Sequence, residues 1–116
     1  MSIQDDKTRI KHMFDAAQKA IAFVNNRTFQ DLEKDEMLAL ALALVKLIEI
    51  VGEAASRVSK EYQTSHSKIP WSAMIGMRNR LVHAYFDINL KILWQTTQED
   101  LPSLIEELNK LPEIKS

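Results

Sequence analysis

The chain predicts an all-α fold, an antiparallel bundle of four to five helices forming one domain over residues 1–116. Three observations predict it. Only two Gly and three Pro interrupt a sequence rich in Ala, Leu, Lys, Glu and Gln, the residues that enter helices most readily. Apolar residues recur at intervals of three and four over long stretches. With 46% hydrophobic and 27% charged residues, the composition is that of an ordinary globular domain. At this length a chain buries roughly two thirds of the surface its unfolded form exposes. Intrinsic disorder is therefore excluded.

Taken in order, Ser2 or Asp5 opens a first helix whose face is Ile10, Phe14, Ala17, Ile21 and Val24. Asn25, Asn26 and Arg27 end it, and Thr28 caps a short turn with Asp31 at capping-box distance. A second helix is expected from about Asp35 to Tyr62. Its alternating segment Leu38–Leu44 has the period of a strand, but Ala and Leu favour helix and no β-branched residue occurs before Val45. Between Met37 and Val51 this helix is apolar on nearly every side, as a central helix or a subunit interface would be. Gly52 inside it costs about 1 kcal/mol relative to Ala, which predicts close approach of another backbone. A polar loop, 63–68, follows. Pro70 starts a third helix running from Trp71 to about Tyr85. Asp87, Ile88 and Asn89 cap a fourth, which Pro102 kinks or restarts, and Leu101, Leu104, Ile105, Leu108 and Leu111 form the last stripe.

Several function classes have no support. Zero cysteine excludes disulfides, thiol catalysis, iron–sulfur clusters and cysteine zinc sites. The three histidines are far apart with no carboxylates at ligand spacing, so no metal site is expected. No glycine-rich phosphate loop and no nucleophile-elbow glycines are present. Fifteen basic residues against sixteen acidic exclude a polycation, so nucleic-acid contact requires a local patch. A polar, acidic N-terminus and the absence of an apolar run of about 20 residues predict a soluble, cytoplasmic protein without a membrane element.

One segment supplies such a patch. From Tyr62 to Phe86 there is no acidic residue, whereas Lys68, Arg78 and Arg80 are cationic and His66 and His83 can become so. Arg presents a fixed fork of donors matched to phosphate, His moves protons near neutrality, and Tyr stacks or donates a hydrogen bond. On a continuous helix His83 lies about 140° around from Arg78, with Asn79 and Arg80 its nearer neighbours. Arg78 and His83 therefore converge on one phosphate only if the helix ends near His83 or a second subunit completes the site. Metal-free RNA cleavage gives an independent reason for two subunits. It needs one group to deprotonate the 2′-OH and another to protonate the leaving 5′-oxygen, yet the stretch from Met77 to Tyr85 holds one His. A two-fold dimer brings two copies together.

At these residues the sequence resembles the HepT-like ribonuclease toxins of the HEPN superfamily. Their signature of Arg, four residues, His, one residue and Tyr stands here as Arg78, His83 and Tyr85. The flanking Ile50–Ala55, Ile69–Pro70–Trp71, Trp94 and Asp100–Leu101–Pro102 resemble the family as well, so the likeness spans residues 7 to 111. The resemblance implies a homodimeric, metal-independent endoribonuclease that needs no cofactor, acts on RNA as a toxin, and is paired with an MntA-like nucleotidyltransferase antitoxin. That partner spends ATP to transfer AMP to Tyr85. By the same resemblance Arg78 and His83 are catalytic, and Asn79 and Arg80 contact RNA.

Plainer readings stand beside these. Arg78 can serve as an ion-pair residue, with Glu53 or another buried carboxylate, His83 as a helix cap, and Tyr85 as a packing residue beside Phe86. Glu53 and Arg57 read as a solvated face, His12 and His66 as surface residues, and Trp71 and Trp94 as core anchors. The rival functions are a non-catalytic helical adaptor that docks a nucleotidyltransferase, and an RNA-binding module without cleavage.

Overall fold

The computed structural model describes residues 3–82 and 87–115. Helix α1, Ile3–Val24, buries a stripe centred on Ile10, Met13, Ala17 and Ala20, with Phe14 and Ile21 half-buried at its edge. It stops where expected. Asn26 adopts a left-handed φ of 63°, a conformation Asn tolerates better than most residues.

Thr28 then caps the short α2, Phe29–Leu32, through a reciprocal box. The Asp31 N–H donates to Thr28 Oγ1 at 3.2 Å and the Thr28 N–H to Asp31 Oδ2 at 2.9 Å. That backbone donor, with Lys34 nearby, holds the Asp31 carboxyl below the usual carboxylate range.

A 3₁₀ turn, Asp35–Met37, leads into α3, Leu38–Ser56, the central helix. The Leu/Ala alternation is helical, as its residue types predict. Its buried set runs from Ala41 and Leu44 through Ile48 and Val51 to Ala55, packed between α1 and α5 (Trp71–Leu81). Gly52 lies at the second of these contacts. A Cβ added there would stand 2.7 Å from the Met74 carbonyl oxygen and 3.3 Å from that of Ile75. The close backbone approach expected of this glycine is present.

The single helix expected over Asp35–Tyr62 is broken. Arg57 and Val58 leave the helix, and Ser59 caps a separate α4, Lys60–Ser65, its hydroxyl accepting from the Tyr62 N–H at 3.2 Å. Asp6, 4% exposed, accepts from the Ser59 N–H at 2.8 Å and from its hydroxyl at 2.7 Å. The start of α1 is thereby tied to the end of α3, so the two helices run antiparallel. Within α4, Tyr62 donates to Glu113 of α8, Pro112–Lys115. Its ring stacks on His66, centroids 4.0 Å apart, and meets Trp71 edge-on. Burial, then the Glu113 carboxylate, pushes the Tyr62 hydroxyl pKa well above its ordinary value. His66, read as a surface residue, is half-buried against this ring.

Helix α5 buries Trp71, Met74, Met77 and Leu81, and the Trp71 Nε1–H donates to the His66 carbonyl at 3.0 Å. It ends at Leu81, four residues short of the expected Tyr85. Val82 is extended, with φ −121° and ψ 124°, and pairs antiparallel with Ile88, while the Asn89 N–H donates to the Leu81 carbonyl at 2.7 Å. Asn89 then caps α6, Leu90–Gln95, by accepting from the Ile92 N–H at 3.1 Å.

Pro102 has no N–H to continue the ladder. The rod passes it through a widened π turn, Thr96–Asp100, before α7, Leu101–Leu108, resumes. Thr96 and Thr97 are buried in that turn and donate their hydroxyls to the carbonyls of Ile92 at 2.8 Å and Trp94 at 2.7 Å. Leu101, Leu104 and Leu108 complete the core against α1. The four rods α1, α3, α5 and α6–α7 form the expected all-α bundle. Among the described residues no helix is long and apolar enough to cross a membrane.

Candidate active site

Arg78 stands in the last turn of α5 with its side chain 47% exposed. Its Nε–H donates to Glu49 Oε2 at 3.0 Å, and the other oxygen of that carboxylate takes the Lys46 ammonium at 3.1 Å. Lys46, then Arg78, holds the Glu49 carboxyl below its ordinary range. An exposed pair of this kind contributes at most about 1 kcal/mol to stability. What it fixes is direction. The guanidinium is held at the side of an open groove of about 180 Å³ lined by Leu42, Val45, Lys46, Glu49, Val82 and Ile88.

The positive charge of Arg78 is thus compensated across space, although no acid stands near it in sequence. The acid-free stretch also divides. His66 and Lys68 line a different cleft, with Glu107, Lys110 and Leu111, and do not join Arg78. Asn79 and Arg80 are exposed on α5 outside the groove lining, about 100° and 200° around from Arg78. Val82, four residues after Arg78, lines the groove.

His83 and Tyr85 lie outside the described residues. What is described is the chain leading to them. Helix α5 gives way to extended backbone at Val82, so the 140° separation that a continuous helix would impose does not apply. Of the two conditions the helical wheel sets for Arg78 and His83 to converge, the early helix end is met.

Glu49 is the site residue that sequence reasoning does not find. A signal for it exists, since Lys46 and Glu49 are the only charges between Met37 and Val51, three residues apart on one face. Glu53, the carboxylate named as a partner for Arg78, pairs instead with Arg57 at 3.2 Å on the exposed side of α3. Chemically, the groove offers a fork of phosphate-matched donors with an adjacent ammonium on an open surface, which suits a phosphodiester.

Comparison with known proteins agrees with this chemistry. The family model described as ribonuclease HepT-like matches residues 13–111. A candidate RNase of Caldanaerobacter subterraneus is 34% identical over 102 residues, covering 88% of this chain and 89% of that protein. A probable ribonuclease HepT of Thermococcus cleftensis is 32% identical, covering 90% and 94%. A candidate RNase of Methanocaldococcus jannaschii is 29% identical, covering 93% and 97%. No solved structure gives a significant match.

Proposed function

The chain belongs to the ribonuclease HepT-like family, and on that premise we propose that it is a metal-independent endoribonuclease toxin that cuts RNA at a cleft shared by two copies. Arg78 binds the scissile phosphate and His83 moves the protons. One imidazole takes the proton of the ribose 2′-OH, which attacks phosphorus. The partner copy's imidazole protonates the departing 5′-oxygen, leaving a 2′,3′-cyclic phosphate and a free 5′-OH. Each positioned acid or base contributes roughly 10²–10⁴-fold, and guanidinium donors stabilise the charge that develops on phosphorus.

The observation that carries this reading is the placing of Arg78. An oriented, half-exposed guanidinium flanks a groove, one turn before α5 ends and five residues before the motif histidine. Support for a second copy comes from the same side of the molecule. Leu38 (57% exposed), Leu42 (38%) and Ile75 (40%) leave apolar surface uncovered beside the groove. Asn79 and Arg80, exposed at the end of the same helix, supply further RNA contacts. Silencing is by an MntA-like nucleotidyltransferase antitoxin that spends ATP to place AMP on Tyr85. The added phosphate charge and bulk beside Arg78 repel and occlude an RNA backbone. The chain itself needs no cofactor, and the pair acts in the cytoplasm.

The direct test incubates purified protein with RNA in EDTA. Cleavage persists with the wild type and is abolished by Arg78→Ala or His83→Ala in a folded protein. Full activity in the double substitution overturns the assignment, and loss of wild-type cleavage on chelation overturns its metal independence. Intact mass after co-expression with the transferase rises by whole AMP units, and Tyr85→Phe blocks the rise. The Arg78–Glu49 pair also suits a second reading, a non-catalytic adaptor that docks the transferase. That reading predicts intact RNA while the complex still forms.

A further inference from the structure

Between α1 and α3 lies a second open cleft, of about 210 Å³, lined by Arg9, His12, Ile50, Glu53, Ala54 and Arg57. Two guanidinia and an imidazole face one carboxylate there, over an apolar floor of Ile50 and Ala54. Glu53 is already engaged by Arg57 at 3.2 Å. Arg9 is half-buried, and its Nε is fully shielded from solvent without any hydrogen-bond partner. A guanidinium nitrogen stripped of water and left unpaired is unfavourable, and an anion in the cleft offsets its charge through space.

The position of this cleft matters as much as its charge. Glu53 follows Glu49 by one turn on α3, and residues so spaced have Cβ atoms only about 5–6 Å apart. The pair Glu53–Arg57 therefore adjoins the pair Glu49–Arg78. We infer that the Arg9–His12–Arg57 cleft is a second anion subsite, which holds a backbone phosphate of the RNA strand whose scissile phosphate lies at Arg78. This inference rests on the ribonuclease reading of the Arg78 site. At about 210 Å³ the cleft has room for a phosphate group. The guanidinium fork supplies the matching donors. Such a subsite makes the enzyme prefer strands that extend beyond the cut, independent of base sequence.

The test measures binding of single-stranded RNA whose 2′-hydroxyls are methylated, so that it cannot be cleaved, across a series of salt concentrations. The variants are Arg57→Gln, whose side chain is exposed, and Arg9→Gln with Arg57→Gln, with Lys19→Gln as the charge-matched control. Affinity falls several-fold in the single variant and about tenfold in the double. The slope of log affinity against log salt drops by about 0.7 for each phosphate that the protein no longer neutralises, while the control follows the wild type. Unchanged affinity and slope in both variants, with wild-type cleavage of unmodified RNA intact, overturn the subsite and leave the ribonuclease reading standing. An equal loss in the control overturns it as well, because only general charge would then matter. If the wild type neither binds the methylated strand nor cuts the unmodified one, both readings fall. If RNA binding is unchanged and the variants instead lose the transferase complex, the cleft belongs to an acidic protein surface and the proposal is overturned.

Discussion

Arg78 Nε donates to Glu49 Oε2 at 3.0 Å, joining α5 to α3 across 29 positions of sequence. The contact places a negative charge beside the group proposed to receive an RNA phosphate, and it also holds that group in one orientation. These two effects act on different kinetic constants. Glu49→Gln removes the repulsion, so KM for RNA falls several-fold. It also loosens the guanidinium, so kcat falls about tenfold. Unfolding free energy changes by less than about 1 kcal/mol, because both side chains are exposed. Steady-state kinetics with denaturant melts separate the outcomes, and a variant with both constants unchanged removes Glu49 from the site.

The two glycines should respond oppositely to the same substitution. Gly52→Ala drives a methyl group to within 2.7 Å of the Met74 carbonyl oxygen, which is backbone and cannot swing aside. The α3–α5 contact must open, at a cost of about 2–3 kcal/mol. Gly76→Ala meets nothing within 4 Å and gains helix propensity, stabilising α5 by about 0.5–1 kcal/mol. Urea unfolding of both variants checks the pair, and equal effects refute the packing argument.

Much of this fold is legible locally. The Thr28–Asp31 box, the end of α1 at Asn26, the cap at Asn89 and the disturbance at Pro102 all follow from residues within a turn or two of each other. The features that are not legible depend on distant partners. Lys60 and Glu61 are good helix formers, and the only nearby sign of a break before them is the capping residue Ser59. What holds Ser59 in place is Asp6, 53 positions upstream. Helix α5 stops at Leu81 where Val82 pairs with Ile88, a pairing hinted at only by two β-branched residues, one inside the motif and one just after it. In the site, the Arg78 motif is visible as a string, whereas the carboxylate that aims it lies on another helix.

Asp6 therefore carries a prediction of its own. Asp6→Ala deletes two hydrogen bonds to Ser59, of 2.8 and 2.7 Å, and leaves its partly buried N–H unpaired, which costs about 2–3 kcal/mol. Asp6→Asn retains an acceptor and costs less. In a double-mutant cycle, Ser59→Ala adds little once Asp6 is gone. Additive losses would show that the two residues act independently.

Tyr62 predicts an alkaline signature. Burial and the Glu113 carboxylate favour its neutral form in the folded chain, so its folded pKa exceeds the value of about 10 in the unfolded one. Its contribution to stability is complete below about pH 10 and is lost as pH rises from there toward the folded pKa. Tyr62→Phe costs about 1 kcal/mol at neutral pH through the missing hydrogen bond, and the gap between variant and wild type narrows above about pH 10. A gap that stays constant between about pH 8 and 12 contradicts this.

Helix α1 is sandwiched between α3 and α7, and its first turn is latched by Ser59. During synthesis, at about 5–20 residues per second, the first helix leaves the ribosome seconds before its last wall has been translated. A nascent chain that stops short of Leu101 exposes the α1 surface that Leu101, Leu104 and Leu108 would cover. The cell therefore meets a finished bundle only after α7 has been translated, and termination before Leu101 yields a fragment for proteases instead of a working nuclease.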